Sequence, residues 1–198
     1  MDISAIRDLK LKYPGIILED REILLIAKSI REFPRCSLLV FGMGNDTPLW
    51  LEINAQGRTA FLENSKEWHR KVRESCPTAE SYLVTYTTKL SEWEQLIDDY
   101  SRLTVDLPPQ VTDTKWDVIL VDGPSGDLAS YRRHYGEEPP GRMSSIYMSS
   151  LLIKNGGYVF VHDCNRIIER QYSDRYLFDV NLVEQTRTKA QLRKYRIR

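Results

Sequence analysis

The sequence predicts an α/β fold in which a doubly wound, mostly parallel sheet carries an antiparallel pair of strands at its C-terminal end. Patterns typical of strands and of helices alternate along the 198 residues. The apolar run Leu38–Phe41 leads directly into Gly42 and Gly44, which is typical of a buried parallel strand followed by a tight turn. Because no linker, repeat or low-complexity tract interrupts these patterns, we expect a single domain over residues 1–198.

Two helices are predicted before the first strand. Apolar residues recur at helical spacing over 2–12 and 19–33, and Pro14 and Pro34 end the two patterns. We expect both helices, within residues 1–35, to cover the sheet. The next predicted elements are a short helix at Leu49–Asn54, a strand at Arg58–Glu63, a helix over 66–75, a strand at Ser81–Thr87 and an amphipathic helix over 89–103.

The second half of the chain continues the alternation. A buried strand is predicted at Trp116–Val121, and a polar loop with several prolines and glycines follows it. The remaining predicted elements are a helix at Met143–Lys154, a strand at Tyr158–Val161, a helix over 165–176 and a closing pair of strands within 179–198.

The composition argues against several kinds of partner. Lys plus Arg and Asp plus Glu number 28 each, so the formal net charge is zero and no global field favours nucleic acid. The chain has no apolar run of about 18 residues and no leader pattern, which predicts no membrane span and a cytoplasmic location. The three cysteines, Cys36, Cys76 and Cys164, lack metal-site spacing and fit a reducing compartment.

The edge of the sheet where parallel strands end is the expected ligand site. Glu63 ends its strand about 20 residues after the glycine turn, where a carboxylate can accept hydrogen bonds from ribose hydroxyls; a solvated helix cap is the alternative. Thr47 stands where the dinucleotide fingerprint has its third glycine, which argues against a typical NAD site but not against other adenosine-containing cofactors. The predicted cofactor-binding residues are Gly42, Met43, Gly44, Asn45, Glu63, Asn64, Asp122 and Gly123.

Candidates for catalysis and substrate binding follow the later strands. His162 and Asp163 come directly after a hydrophobic strand, and such a pair indicates acid–base or metal chemistry, unless the histidine is structural. Arg142 and the neighbouring Arg133 belong to a basic loop that is either solvated or a lid presenting arginine to an anionic substrate.

Taken together, these pieces resemble the plant glucuronoxylan 4-O-methyltransferases and their irregular-xylem relatives. The resemblance runs in order over roughly residues 36–178, and its specific parts are the Pro-Gly-Arg-Met and Val-His-Asp-Cys-Asn-Arg segments. The matching segments are Leu39–Asp46, Gly57–Glu63, Val84–Tyr86, Trp116–Pro124, Pro140–Met143 and Val159–Arg166.

The resemblance implies a class I (Rossmann-like) methyltransferase fold, S-adenosylmethionine as methyl donor, and O4 of a glucuronic acid unit in a polysaccharide or oligosaccharide as acceptor. It also implies the Golgi lumen if the chain is the trimmed catalytic part of an anchored enzyme. For such a reaction we expect His162 and Asp163 to act as base, with Asp122 near the reacting groups, and we expect Arg142, Arg133 and Asn165 to bind the substrate.

Three alternatives stay open. Asp122, Asp163 and Asn165 are oxygen donors at adjacent strand ends, similar to the magnesium site of catechol-type O-methyltransferases, so a divalent metal ion is a second candidate cofactor. The acceptor could instead be a small soluble molecule such as a phenol. A non-catalytic protein of polysaccharide assembly could also keep the same fold.

Overall fold

The computed structural model describes residues 1–127 and 138–198, in which seven strands form one sheet. The strands are β1 (Ser37–Phe41), β2 (Arg58–Glu63), β3 (Glu80–Leu83), β4 (Trp116–Val121), β5 (Ile153–Val161), β6 (Leu182–Gln185) and β7 (Arg193–Arg196). Their order is β3-β2-β1-β4-β5-β7-β6. All neighbours are parallel except β7, which runs antiparallel to β5 and β6. This confirms the predicted mostly parallel sheet with an antiparallel C-terminal pair.

Helices cover both faces of the sheet. They are α1 (Ile3–Lys12), α2 (Asp20–Ile30), α3 (Thr47–Ile53), α4 (Lys66–Ser75), α5 (Trp93–Leu96), α6 (Tyr100–Leu103), α7 (Pro109–Thr112), α8 (Met143–Leu152) and α9 (Ile167–Ser173). In the described ranges no helix combines the length and the apolar character that crossing a bilayer requires.

The alternation of side chains along β1 explains the two layers. Leu38 and Val40 belong to one buried cluster, whereas Leu39 and Phe41 belong to the other, because successive residues of a strand point to opposite faces. The first cluster is completed by α1 to α4, through residues that include Ile6, Ile23, Ile26, Leu49 and Val72. The second is completed by α6, α8 and α9, through residues that include Leu103, Ile146, Leu152 and Tyr172. The N-terminal helices therefore lie on one face of the sheet.

The long helix predicted over 89–103 was wrong. A 3₁₀ turn at Leu90–Glu92 leads into α5, and a second short helix, α6, starts after Asp99. The Asp99 carboxylate accepts a hydrogen bond from the backbone N–H of Arg102 and so caps a new helix. The carbonyl of Ile97 accepts a hydrogen bond from the Tyr176 hydroxyl at 2.5 Å, so a tertiary contact satisfies a backbone group in the break.

Three further boundaries differ from the prediction. β3 ends at Leu83, short of Thr87, and α9 ends at Ser173, where a π-helical turn continues to Phe178. β5 begins at Ile153 rather than Tyr158, because Ile153 pairs with Trp116 of β4 across a shift in register. Gly156 and Gly157, which precede the predicted strand, therefore lie inside β5.

Candidate active site

A cavity of about 560 Å³ opens where β1, β2, β4 and β5 end. All eight residues predicted to bind a cofactor, from Gly42 to Gly123, contribute to its lining. Arg142, His162 and Asp163 line it as well. Asn165 is not among the lining residues, and Arg133 lies outside the described residues. The predicted cofactor residues therefore lie together at one cavity, and the geometry of each group decides what it can do there.

The floor of the cavity is formed by two glycines that touch. Gly42 has a φ of +109°, a conformation that side chains disfavour. A Cβ atom on Gly123 would lie 2.8 Å from the Cα atom of Gly42, so the turns after β1 and β4 can meet only without side chains. The result is a cleft in which a ligand can approach the backbone closely.

Glu63 connects two of the loops around the cavity. Its Oε2 accepts a hydrogen bond from the Met43 N–H at 2.8 Å, and its Oε1 accepts from Asn64 at 2.8 Å and Ser65 at 2.7 Å. Burial raises the pKa of Glu63, and the three N–H donors counteract part of that rise. The carboxylate thus fixes the loops after β1 and β2, and a spare lone pair on Oε2 is left for a ligand hydroxyl.

Arg142 is not free to hold a substrate, contrary to the expectation from the sequence. Its side chain is 6% exposed, and its Nη2 lies 3.1 Å from Asp122 Oδ1 and 2.8 Å from Asp163 Oδ2. Its Nη1 donates to the His162 carbonyl at 2.8 Å and its Nε to the Pro124 carbonyl at 3.3 Å. These contacts make Arg142 a buried cation that connects the loops after β4 and β5, because nearly all of its donors bind the chain itself.

His162 does not fit the role of a free base. Its Nδ1 lies 2.9 Å from Asp122 Oδ1, and its Nε2 lies 3.4 Å from Oε2 of Glu22, a fully buried residue of α2. Burial alone would lower the pKa of His162, but the two carboxylates outweigh it and raise the pKa to about 10. The imidazole is therefore protonated at neutral pH and has no lone pair to accept a proton.

The expected metal ligands are not assembled. Asn165 is exposed, and its backbone N–H bonds the Ala190 carbonyl on a neighbouring loop. Ligand atoms of Asp122, His162 and Asp163 do lie within 4.8 Å of one another. However, the guanidinium of Arg142 already bridges the two carboxylates. The residues present therefore do not fit a metal ion held by Asp122, Asp163 and Asn165.

Asp46 is a residue of the site that was not among those predicted from the sequence. Asp46 lines the cavity, and its Oδ2 accepts a hydrogen bond from the Trp50 indole N–H at 2.7 Å instead of capping α3. Burial and the nearby charge of Asp122 raise the pKa of Asp46 to about 6. The adjacent glycine turn was the signal that could have placed this carboxyl at the ligand rather than at the helix.

The loop between α1 and α2 was missed as well. The backbone from Gly15 to Leu18 forms one wall of the cavity, and the Asn45 side chain donates to the Gly15 carbonyl at 3.1 Å. Together with Glu22, this loop brings the N-terminal region into the site. Periodicity could not indicate this, since it reports only which face of a helix is apolar.

The model of the family described as IRX15/IRX15L/GXM matches residues 21–104 and 101–195. The chain belongs to this family. Protein IRX15-LIKE of Arabidopsis thaliana is 39% identical over 176 residues, which are 76% of this chain and 53% of that protein. Glucuronoxylan 4-O-methyltransferase 2 of the same plant is 38% identical over 171 residues, 76% of this chain and 56% of that protein. This confirms the resemblance that the sequence motifs indicated.

A less similar relative is named for a different polysaccharide. Arabinogalactan O-methyltransferase 2 of Arabidopsis thaliana is 32% identical over 181 residues, 79% of this chain and 60% of that protein. The chain thus spans between 53% and 60% of the length of these three relatives.

Solved structures agree with the topology. An O-methyltransferase from Bacillus cereus in complex with SAH superposes with a TM-score of 0.57, at 11% sequence identity, over 99% of this chain and 90% of that one. At this identity the similarity establishes the fold alone. The family member has the class I methyltransferase fold that the sequence predicted.

Proposed function

We propose that this chain is an S-adenosylmethionine-dependent O-methyltransferase that acts on a sugar hydroxyl, with O4 of a glucuronic acid unit as the acceptor. One observation carries the proposal: the cavity at the strand ends is lined by all eight expected cofactor residues in a chain of this family. Relatives in the family are named for 4-O-methylation of glucuronoxylan and for O-methylation of arabinogalactan. A carbohydrate acceptor is common to both names.

The cavity fits the cofactor in size and chemistry. Its volume of about 560 Å³ lies within the usual range for small-molecule sites. The contact between Gly42 and Gly123 leaves backbone exposed at the cleft floor, and Glu63 faces the cavity with one free lone pair. Asp46 and Asp122 add negative charge, which favours a ligand that carries a sulfonium and an ammonium group.

When bound, S-adenosylmethionine supplies an electrophilic methyl group. A sugar hydroxyl is a weak nucleophile, so a base must remove its proton during an in-line transfer. His162 is protonated, and Asp122 and Asp163 are held by Arg142. We assign the base to Asp46, because it lines the cavity and burial raises its pKa to about 6, close to neutrality.

The remaining charged groups hold the site in shape. Arg142 and the His162 imidazolium keep the Asp122 carboxylate fixed beside the cavity. A carboxylate fixed in this way is preorganised for the positive charge of the donor, so it need not reorient during transfer.

Two measurements test the proposal. Titration calorimetry with S-adenosylhomocysteine should give one site per chain. Mass spectrometry should then detect the addition of one methyl group to a xylo-oligosaccharide with a glucuronic acid branch, but not to catechol. Transfer to catechol alone would show that the acceptor is a small molecule rather than a sugar. Binding without transfer to any acceptor would favour the non-catalytic alternative, and an absence of binding would refute the proposal.

A further inference from the structure

Three basic side chains line the described part of the cavity: Arg142, His162 and Arg166. They differ in their exposure and in how fully other residues of the chain surround them. The side chains of Arg142 and His162 are 6% and 7% exposed and are surrounded by partners from the chain. The side chain of Arg166 is 33% exposed. Arg166 is therefore the basic group of this set that can still reach a ligand.

The contacts of Arg166 use one of its terminal nitrogens. Its Nη1 lies 3.1 Å from Asp163 Oδ2 and 3.5 Å from Glu169 Oε1. Its backbone N–H donates to the Asp163 carbonyl at 2.9 Å, which closes a tight turn just before α9. The two carboxylates and the turn hold the guanidinium in place at the rim of the cavity.

The opposite edge of this guanidinium is free among residues 1–127 and 138–198. Nε and Nη2 of Arg166 have no hydrogen-bond or ion-pair partner there. These two nitrogens form one edge of the planar group, and their parallel N–H bonds match the two oxygens of a carboxylate. Arg166 thus lines the cavity and has an edge left for side-on binding of a carboxylate.

The chemistry of a uronic acid requires such a cation close to the reacting atoms. In glucuronic acid the carboxylate is attached to C5, next to the carbon that bears the 4-hydroxyl. A carboxylate placed there meets the negative charges of Asp46, Asp122 and Asp163, so its binding costs free energy unless a cation compensates it. Asp163 contacts both Arg166 and Arg142, so Arg166 lies next to the group of buried charges around Asp122.

We propose that Arg166 binds the carboxylate of the acceptor through Nε and Nη2 and thereby selects uronic acids over neutral sugars. This inference rests on the proposed sugar O-methyltransferase activity. It assigns to Arg166 the role that the sequence had suggested for Arg142.

The test compares a xylo-oligosaccharide that carries a glucuronic acid branch with the same oligosaccharide carrying glucose. Arg166→Met should lower kcat/KM for the acidic acceptor at least about tenfold and change the value for the neutral acceptor less than about threefold. The affinity for S-adenosylhomocysteine, measured by calorimetry, should stay the same. Arg170→Met is the matched control, because it removes the same charge from α9 one turn away and does not line the cavity.

Arg166→Lys is a second variant that controls for a folding defect in Arg166→Met, since it keeps a positive charge beside the buried Glu169. Lysine lacks the planar fork, so this variant should also lose most of the preference for the acidic acceptor. Equal losses on both acceptors, or an unchanged preference in Arg166→Lys, would overturn the inference. If the wild type methylates both acceptors equally well, the inference fails while the proposed function stands. If the wild type binds no cofactor, both fail.

Discussion

Replacing Asp46 by asparagine should stabilise the protein while it abolishes transfer. The pKa of Asp46 rises from its ordinary 3.8 to about 6, mainly because burial disfavours the charged form. The folded state therefore binds more protons than the unfolded state between about pH 4 and pH 6, so the free energy of unfolding falls as the pH rises through this window. A rise of about 2 pH units corresponds to about 3 kcal/mol. We expect about half of this, on the order of 1.5 kcal/mol, because the carboxyl faces the water of the cavity.

Asparagine is a suitable probe because its amide oxygen can still accept the hydrogen bond from Trp50. Urea denaturation of both proteins at pH 3.5 and pH 8 should give equal stabilities at low pH and a more stable variant at high pH. Asp106→Asn, a change at an exposed residue outside the cavity, should show no such dependence. The wild-type transfer rate should rise with pH through about 6, as Asp46 loses its proton. A variant that is less stable at pH 8, or equally active, would refute the assignment.

Three further predictions concern the other buried charges. Glu63→Gln should weaken S-adenosylhomocysteine binding by about 1–3 kcal/mol in calorimetry, since an amide cannot accept all three N–H bonds and a ligand hydroxyl; unchanged affinity would place the cofactor elsewhere. Arg142→Met should lower the free energy of unfolding by about 3–5 kcal/mol in urea, because two half-buried carboxylates lose the buried cation that they share and three backbone carbonyls lose their donor; a loss below about 1 kcal/mol would contradict this account. Glu22→Gln should lower the pKa of His162, as followed by NMR of its ring protons, because one of its two carboxylate partners is neutralised. An unchanged pKa would show that Glu22 does not act on the imidazole.

The part of the site that the sequence predicted depends on local rules. A buried apolar strand followed by glycines fixes where backbone is exposed, and the end of the next strand fixes where Glu63 stands. Parallel strands bring their carboxyl ends to one edge, so four separate segments met as expected. The family-like segments at 140–143 and 159–166 were also recognised, and they do border the cavity.

The roles of the charged residues could not be predicted in the same way. Whether an arginine is free depends on which carboxylates pack around it, and Arg142 meets Asp122 and Asp163 only after β4, β5 and α8 are assembled. The protonation of His162 depends on Glu22, which lies 140 positions earlier in the sequence. Likewise, the break in the helix predicted over 89–103 depends on tyrosine hydroxyls from α9 and the turn after it.

The loop from Gly15 to Leu18 has a consequence for engineering. It forms a cavity wall but precedes β1, and Ile17 is 89% exposed, so little of the apolar packing depends on that side chain. Exchanging Ile17 should alter which acceptors fit, while the sheet, the buried Leu18 side chain and the buried charges stay intact. Trimming the chain to start at β1 would have the opposite effect, because it would remove Glu22 and uncover the face of the sheet that α2 protects.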